Sequence, residues 1–209
     1  KLNNKKNQLK VLKNVHSAKS MTFLPGDEYI VSRVWGIEIF KDSELVYESC
    51  AEDNFCHKIS TLHYSKKDSV LYLGGLNGFW QYKNGTFKHL GEENDLLYYR
   101  VGDIADFKEY LALATRGGGL ILYSKNAVFQ VTKEDGLLSN SITSIQVKDD
   151  EIWMAQNRGV SKVTFHDVES ESFDIKNLTK QDGLANPEVN DLSIVDSIVY
   201  VGTNDGLSY

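Results

Sequence analysis

Five glycines open five short runs of β-branched and aromatic residues at a nearly constant interval. They are Gly36 in WGIEIF, Gly78 in NGFWQY, Gly119 in GGGLILY, Gly159 in RGVSKV and Gly206 in DGLSY, spaced 42, 41, 40 and 47 residues apart. A second anchor, the first apolar residue of the strand that opens each unit, keeps the same register: Ala18, Ile59, Val101, Ile142 and Val189, spaced 41, 42, 41 and 47. The longer last interval reflects an insertion, HDVESES, after Phe165. Two independent anchors in one register define an internal repeat, and a repeat of this length restricts the chain to a stacked or circular array of small units.

Each unit has one internal grammar. A first strand alternates apolar residues (Ile142, Ile145, Val147), a turn follows (Lys148–Asp150), and a second strand reads IWMA, or VLYLG at Val70, LALA at Leu111 and VYVG at Val199. A small residue falls late in that strand: Ser32, Gly74, Ala114, Ala155 and Gly202. A loop holding Gly, Asn or Arg leads to a third strand, and a short fourth follows, such as TFKHL at Thr86. Short runs bounded by Gly, Asn and Asp clusters are strand signals. Four of them per unit, repeated, predict an all-β fold: a β-propeller of four-stranded antiparallel blades.

DGLLSNSITSI followed by EIWMAQNRGV resembles the two-component regulator propeller repeat of bacterial sensor proteins, as found in Bacteroidetes-like hybrid two-component systems. QDGLANPEVNDLSIVDSIVYVGTNDGL and LATRGGGLILY match that repeat nearly as well, and the units around Tyr29 and Tyr72 less closely. The resemblance covers essentially the whole chain. It implies a sensor-domain propeller and leaves the ligand open, because the shared residues look structural.

The repeat predicts one propeller domain over residues 1–209, with blades at about 15–49, 57–90, 99–132, 140–178 and 187–209. The last has three strands, while 8–13 offers an orphan fourth strand, so head and tail are expected to share the fifth blade and close the ring. Closure removes exposed edge strands. The alternative is a piece of a larger ring. Leu137 and Leu184, in the Gly-Leu turns, are expected to wedge between blades, with Gly136 and Gly183 at positive φ. Trp153, Tyr72 and Tyr200 share one register and are expected to form an aromatic layer between sheets.

Composition excludes several classes. The net charge of −6 argues against a nucleic-acid partner. No apolar run reaches the roughly 20 residues that span a bilayer. The chain begins at Lys1 and carries no signal peptide, which reads as a processed or trimmed segment. Six lysines and no acid fall in the first nineteen residues, read either as a solvated lead or as a contact for an acidic partner. Cys50 and Cys56, the only cysteines, flank AEDNF in one loop. They are either a local disulfide of an exported protein or two free small side chains. A bond closing so short a loop is worth about 2 kcal/mol.

Catalytic and metal motifs are scarce. The five histidines are scattered, no HExxH, CxxC or G-x-S-x-G occurs, and no EF-hand loop appears. Gly117–Gly119 lies between two strands, whereas a phosphate cradle needs a helix behind it. No cofactor and no metal are expected. Propeller geometry places the loops before the first strand and between the second and third on one face, around the channel mouth. One set brings Trp35, Asn77, Arg116, Arg158 and Asp205; the other brings His57, Tyr99, Arg100, Asn140 and Asn190. Aromatic faces with amide and guanidinium donors suit a carbohydrate, an acidic small ligand or a partner loop. Taken one at a time each has a structural reading: Asn140 as a turn cap, Arg116 and Arg158 as surface or acid-paired side chains, and Trp35 as packing on Tyr29.

Three functions are compatible with this pattern. The first is a non-catalytic periplasmic or extracellular ligand-sensing or interaction module of a bacterial signalling or surface protein. The second is a lyase- or hydrolase-type enzyme, with His57 and Glu188 as the acid–base pair. The third is a structural spacer with no concave pocket at its mouth.

Overall fold

The computed structural model describes residues 17–51 and 55–209, which form five antiparallel sheets. The first holds β1 (Ser20–Leu24), β2 (Glu28–Ser32), β3 (Ile37–Lys41) and β4 (Glu44–Glu48). The second holds β5 (Ile59–Ser65), β6 (Val70–Gly75), β7 (Gly78–Lys83) and β8 (Thr86–His89). The third holds β9 (Arg100–Phe107), β10 (Tyr110–Arg116), β11 (Leu120–Tyr123) and β12 (Val128–Val131). The fourth holds β13 (Ile142–Lys148), β14 (Glu151–Gln156), β15 (Gly159–Asp167) and β16 (Ser172–Leu178). The fifth has three strands, β17 (Val189–Val195), β18 (Ile198–Thr203) and β19 (Gly206–Ser208). Every neighbouring pair in a sheet is also consecutive in sequence, so each sheet is a simple meander.

The sheets stack in chain order through their first strands: β1 on β5, β5 on β9, β9 on β13 and β13 on β17. The alternation of side chains explains why. In the third sheet Leu111 and Leu113 pack with Tyr72 and Val70 of the second. The intervening Ala112 and Ala114 pack with Ile145 and Met154 of the fourth. A sheet covered on both faces reads as an unbroken apolar run, and residues 110–115 of β10 are all buried.

The small residue late in the second strand has a direct steric role. A Cβ on Gly74 would fall 2.7 Å from Val101 Cγ1 in the next sheet, so glycine lets that anchor valine approach. The anchor positions mark a further shared feature. Strand pairing shifts by one residue immediately after Ile59, Val101, Ile142 and Val189, giving four equivalent β-bulges at Ser60, Gly102, Thr143 and Asn190.

The Gly-Leu turns are capped 3-10 turns. Thr132 and Asp135 cap each other's backbone, as do Thr179 and Asp182. Gly136 (φ 120°) and Gly183 (φ 105°) then reverse the chain. Leu137 and Leu184 are thereby buried against the fourth and fifth sheets.

One expectation needs adjustment. Tyr72, Trp153 and Tyr200 share a register but do not form one layer. Tyr72 meets Phe79 and Tyr123, Trp153 lies under the Lys162 ammonium, and Tyr200 meets Tyr209. Tyr72 packs towards the third sheet and Trp153 towards the fifth, so each serves a different interface. The closing strand expected within 8–13 lies outside the described residues. Among the described residues, no contact comparable to those between successive sheets joins β17 to β1. The outward faces of the terminal sheets display large apolar side chains: Met21 (56% exposed) and Phe23 (68%) on one, Val195 (54%) and Leu207 (65%) on the other.

Candidate functional site

The loops expected to share one rim are stitched together by backbone hydrogen bonds. The Gly36 amide donates to the His57 carbonyl at 2.8 Å, and Leu76 donates to Lys58 at 2.9 Å. Gly117 and Gly119 both donate to the Asn140 carbonyl at 2.9 Å, and Asn204 donates to Glu188 at 3.3 Å. Loops between second and third strands therefore lie beside the inter-sheet linkers.

Around the third sheet, Tyr99, Arg100 and Arg116 come together. Arg100 and Arg116 are direct cross-strand partners on β9 and β10. Like charges in that position repel. Burial, and then the neighbouring Arg100, hold Arg116 below its ordinary value. Arg116 Nη1 donates to Ser141 Oγ at 3.4 Å, a long bond, and neither guanidinium pairs with a carboxylate among the described residues. Tyr99 lies flat over Gly118, where any Cβ would collide with its ring. Asn140 caps its turn, its side-chain oxygen accepting from the Lys133 amide at 2.6 Å.

A second group surrounds Trp35, which is 55% exposed and carries the Lys58 ammonium 4.9 Å above its ring. A shallow depression of about 350 Å³ lies beside it, lined by Arg33, Val34 and the Cys50–Cys56 disulfide. Arg33 pairs with Glu38 at 3.2 Å and Glu48 at 2.9 Å. The disulfide closes the loop that carries Phe55, whose ring stacks on Phe87 at 3.7 Å and meets Trp80 edge-on at 5.3 Å.

His57 belongs to this aromatic cluster. Its ring lies 4.5 Å from Trp80, which stacks on His89 at 4.2 Å. Burial first, and His89 second, lower the His57 imidazole below its ordinary value. Glu188 sits elsewhere: it accepts from the Asn204 side chain, and its own amide donates to Asn186 Oδ1 at 2.8 Å. The expected His57–Glu188 pair is not formed, because the two residues belong to linkers of different sheets.

The fifth sheet groups Asn190 and Asp205 with neighbours the sequence does not single out. Asn190 Nδ2 donates to Asn204 Oδ1 at 2.8 Å, and Asn186 Nδ2 donates to Asp205 Oδ2 at 2.7 Å. Asn77 and Arg158 are exposed in tight turns, and neither side chain forms a hydrogen bond or ion pair among the described residues. The rim residues thus form three separate groups. Trp80 and His89, which flank His57, are absent from the sequence-based set; their strand-interior positions in FWQY and FKHL give no sign that they stack. Among the described residues no group of three or more His, Cys, Asp or Glu side chains could hold a metal ion.

Antiparallel four-stranded sheets stacked along their first strands, with linker and second-to-third-strand loops on one edge, define a propeller-type fold. No protein-family model and no curated protein matches the sequence. Solved structures do. The chain is similar to the extracellular domain of a hybrid two-component system from B. thetaiotaomicron (17% identity, TM-score 0.68, 91% of this chain and 26% of that one). A second such domain from the same organism aligns at 15% identity and TM-score 0.51, over 91% of this chain and 32% of that one. The WD40 β-propeller domain of Doa1 aligns at 16% identity and TM-score 0.62, over 90% of this chain and 60% of that one. The chain thus spans between a quarter and a third of the length of the two extracellular domains. At these identities the likeness is one of fold: two of these neighbours are extracellular domains of two-component systems and the third is a WD40 propeller. No described helix is long and apolar enough to cross a membrane.

Proposed function

We propose that this chain is a non-catalytic ligand-sensing or interaction module of a periplasmic or extracellular signalling or surface protein, binding an acidic ligand at the rim. The observation that carries this reading is the cross-strand pair Arg100 and Arg116, which has no carboxylate partner among the described residues of a chain with net charge −6. Two adjacent guanidiniums match the geometry of a carboxylate or sulfate, and Tyr99 beside them offers a ring edge for a sugar. The depression beside Trp35 supports a binding surface over a featureless spacer. The separation of His57 from Glu188 supports a non-catalytic role.

Thermal melts with uronic-acid or sulfated oligosaccharides, against neutral ones of the same length, test the reading. Acidic glycans are expected to raise the melting temperature of the wild type and not of R100A/R116A. No shift with any acidic ligand, or an equal shift in the double variant, removes it.

The same proposal extends to the ring. Exposed Met21 and Phe23 at one end, and Val195 and Leu207 at the other, favour a larger ring in which these faces meet further sheets. In the alternative, 8–13 supplies the fourth strand along β19. Cysteines placed at Val11 and at Ser208 are expected to stay unlinked in the larger ring, whereas an efficient intramolecular cross-link between them would establish the five-bladed closure.

A further inference from the structure

On the opposite edge from the rim, the turns joining first to second and third to fourth strands border a cavity of about 460 Å³. That volume falls within the roughly 300–1,000 Å³ of small-molecule sites. It lies between the two turns of the third sheet. One end reaches Asp68 and Tyr72 of the second sheet, the other Glu169 of the fourth. Nothing in the proposed rim function uses it.

Two walls are tyrosines that are more than nine-tenths buried, Tyr110 (5% exposed) and Tyr123 (6%). Neither hydroxyl forms a hydrogen bond to a described residue, although the nearby Tyr72 hydroxyl donates to Asp68 Oδ2 at 3.1 Å. Their rings are buried while their hydroxyls stay accessible in the cavity, so its wall presents two phenol donors with no protein partner among the described residues. The charges that act on them are acidic. Burial, then Glu109, Glu169 and Asp167, raise the Tyr110 phenol. Burial, then Glu93 and Asp68, push Tyr123 up to about 12. Both are neutral donors at physiological pH and both sit in a negative field.

The lysines that share the lining do not cancel that field. Lys67 is exposed to solvent, Lys108 pairs with Asp150 at 2.7 Å, and Lys125 approaches Asp68 only to 3.7 Å. Glu109 and Glu169 form no ion pair among the described residues. The Phe129 ring meets Tyr110 edge-on at 5.7 Å, adding an aromatic surface beside these carboxylates. Carboxylates next to aromatic rings in a partly enclosed space are the surroundings an ammonium group prefers.

We propose that this cavity binds a small organic ammonium compound, its amine at the Glu109, Glu169 and Tyr110 end and its body against Phe129 and Tyr123. The site is independent of the arginine pair, so either can fail while the other stands.

Calorimetric titration with 1,4-diaminobutane and with glucosamine tests it, using N-acetylglucosamine as the sugar that lacks the charge. The two amines are expected to bind and N-acetylglucosamine is not. The exposed pair E109Q/E169Q is expected to weaken amine binding at least tenfold, about 1.4 kcal/mol. Y123F removes only the hydroxyl and is expected to weaken it severalfold, and R100A/R116A to leave it unchanged. Absence of amine binding, equal binding of N-acetylglucosamine, or unaltered binding by E109Q/E169Q overturns the assignment.

Discussion

The Asp103 carboxylate, on the first strand of the third sheet, accepts a hydrogen bond from the Ile145 amide, on the first strand of the fourth, at 3.0 Å. Its second oxygen accepts from the Ile104 amide at 2.9 Å, and Ser144 Oγ donates to the carboxylate at 3.3 Å. Ser20 makes the equivalent link between the first and second sheets, its hydroxyl accepting from the Leu62 amide at 3.1 Å. Position for position, Ser20 and Asp103 lie two residues after the anchors Ala18 and Val101. These bonds tie successive sheets together along their first strands, where the apolar packing alone would not fix one sheet's register against the next.

Asp103 yields a prediction in which charge and hydrogen bonding separate. Burial is the largest influence on its carboxyl and raises it above the usual 3.8, although the Ile145, Ile104 and Ser144 hydrogen bonds act the other way. Between the unfolded value and the raised native one, the native state therefore binds more proton than the unfolded chain does. The stability this group contributes is complete below the unfolded value and is lost as pH rises through the raised one. D103N keeps an acceptor for Ile145 and cannot ionise. It is expected to gain on the wild type in urea denaturation as pH rises from about 4. D103A leaves the Ile145 amide unpaired and is expected to lose about 1–3 kcal/mol. A gap between D103N and wild type that is the same at every pH would sink the argument.

Gly74 and Val101 are predicted to be energetically coupled. A methyl group at Gly74 would meet Val101 Cγ1 and Thr61 Cγ2, each at 2.7 Å. G74A should therefore destabilise by about 1–3 kcal/mol through overpacking. V101A opens space on the next sheet, so the double variant is expected to be more stable than the two single losses imply, by about 0.5–3 kcal/mol. Strict additivity would mean that the sheets adjust without the contact.

Much of this architecture is legible in the sequence because the repeat exposes the same physical demand several times. The anchors Ile59, Val101, Ile142 and Val189 mark not only buried positions but the residue before each bulge. The late small residue of β6 is explained by two close approaches, from Val101 of the next sheet and Thr61 of its own. The capping pairs Thr132–Asp135 and Thr179–Asp182 stand in plain view as TKEDGL and TKQDGL, although the repeat pattern draws the eye only to their Gly-Leu portion. Contacts between sheets are not legible. Asp103 and Ile145 are 42 residues apart, and nothing local indicates that one will accept from the other. Whether two rim residues touch depends in the same way on pairing and sheet curvature. Arg100 and Arg116 meet across a ladder, while Arg158 stands alone. The cavity on the other edge leaves no local trace because its walls come from three sheets.

The Cys50–Cys56 bond is predicted to stabilise the interface between the first and second sheets through Phe55. It closes a loop with a sequence separation of 6, and Phe55 is 6% exposed between Phe87 and Trp80. C50S/C56S should lose about 2 kcal/mol. In a chain of this size that is a fall in melting temperature of roughly 4–8 °C. Reducing agent should lower the wild type by a similar amount and leave the double variant unmoved. A reductant effect that persists in the double variant would place its origin elsewhere.

His57 is predicted to make stability depend on pH in the opposite sense to Asp103, and at higher pH. Desolvation in the aromatic cluster, followed by the repulsion of His89, lowers its imidazole below 6.5. The unfolded chain therefore takes up a proton that the native state resists. The contribution is complete above the unfolded value and is lost as pH falls towards the lowered native one. H57F keeps a ring against Trp80 and Phe55, and the His57 carbonyl that accepts from Gly36 is backbone and survives the change. Comparing urea midpoints across about pH 5 to 7, where an ordinary histidine titrates, the wild type should fall relative to H57F as the solution is acidified. Above that range the two should run parallel. If the two curves stay parallel throughout, the imidazole is as well solvated in the native state as in the unfolded chain, and the aromatic cluster does not exclude its proton.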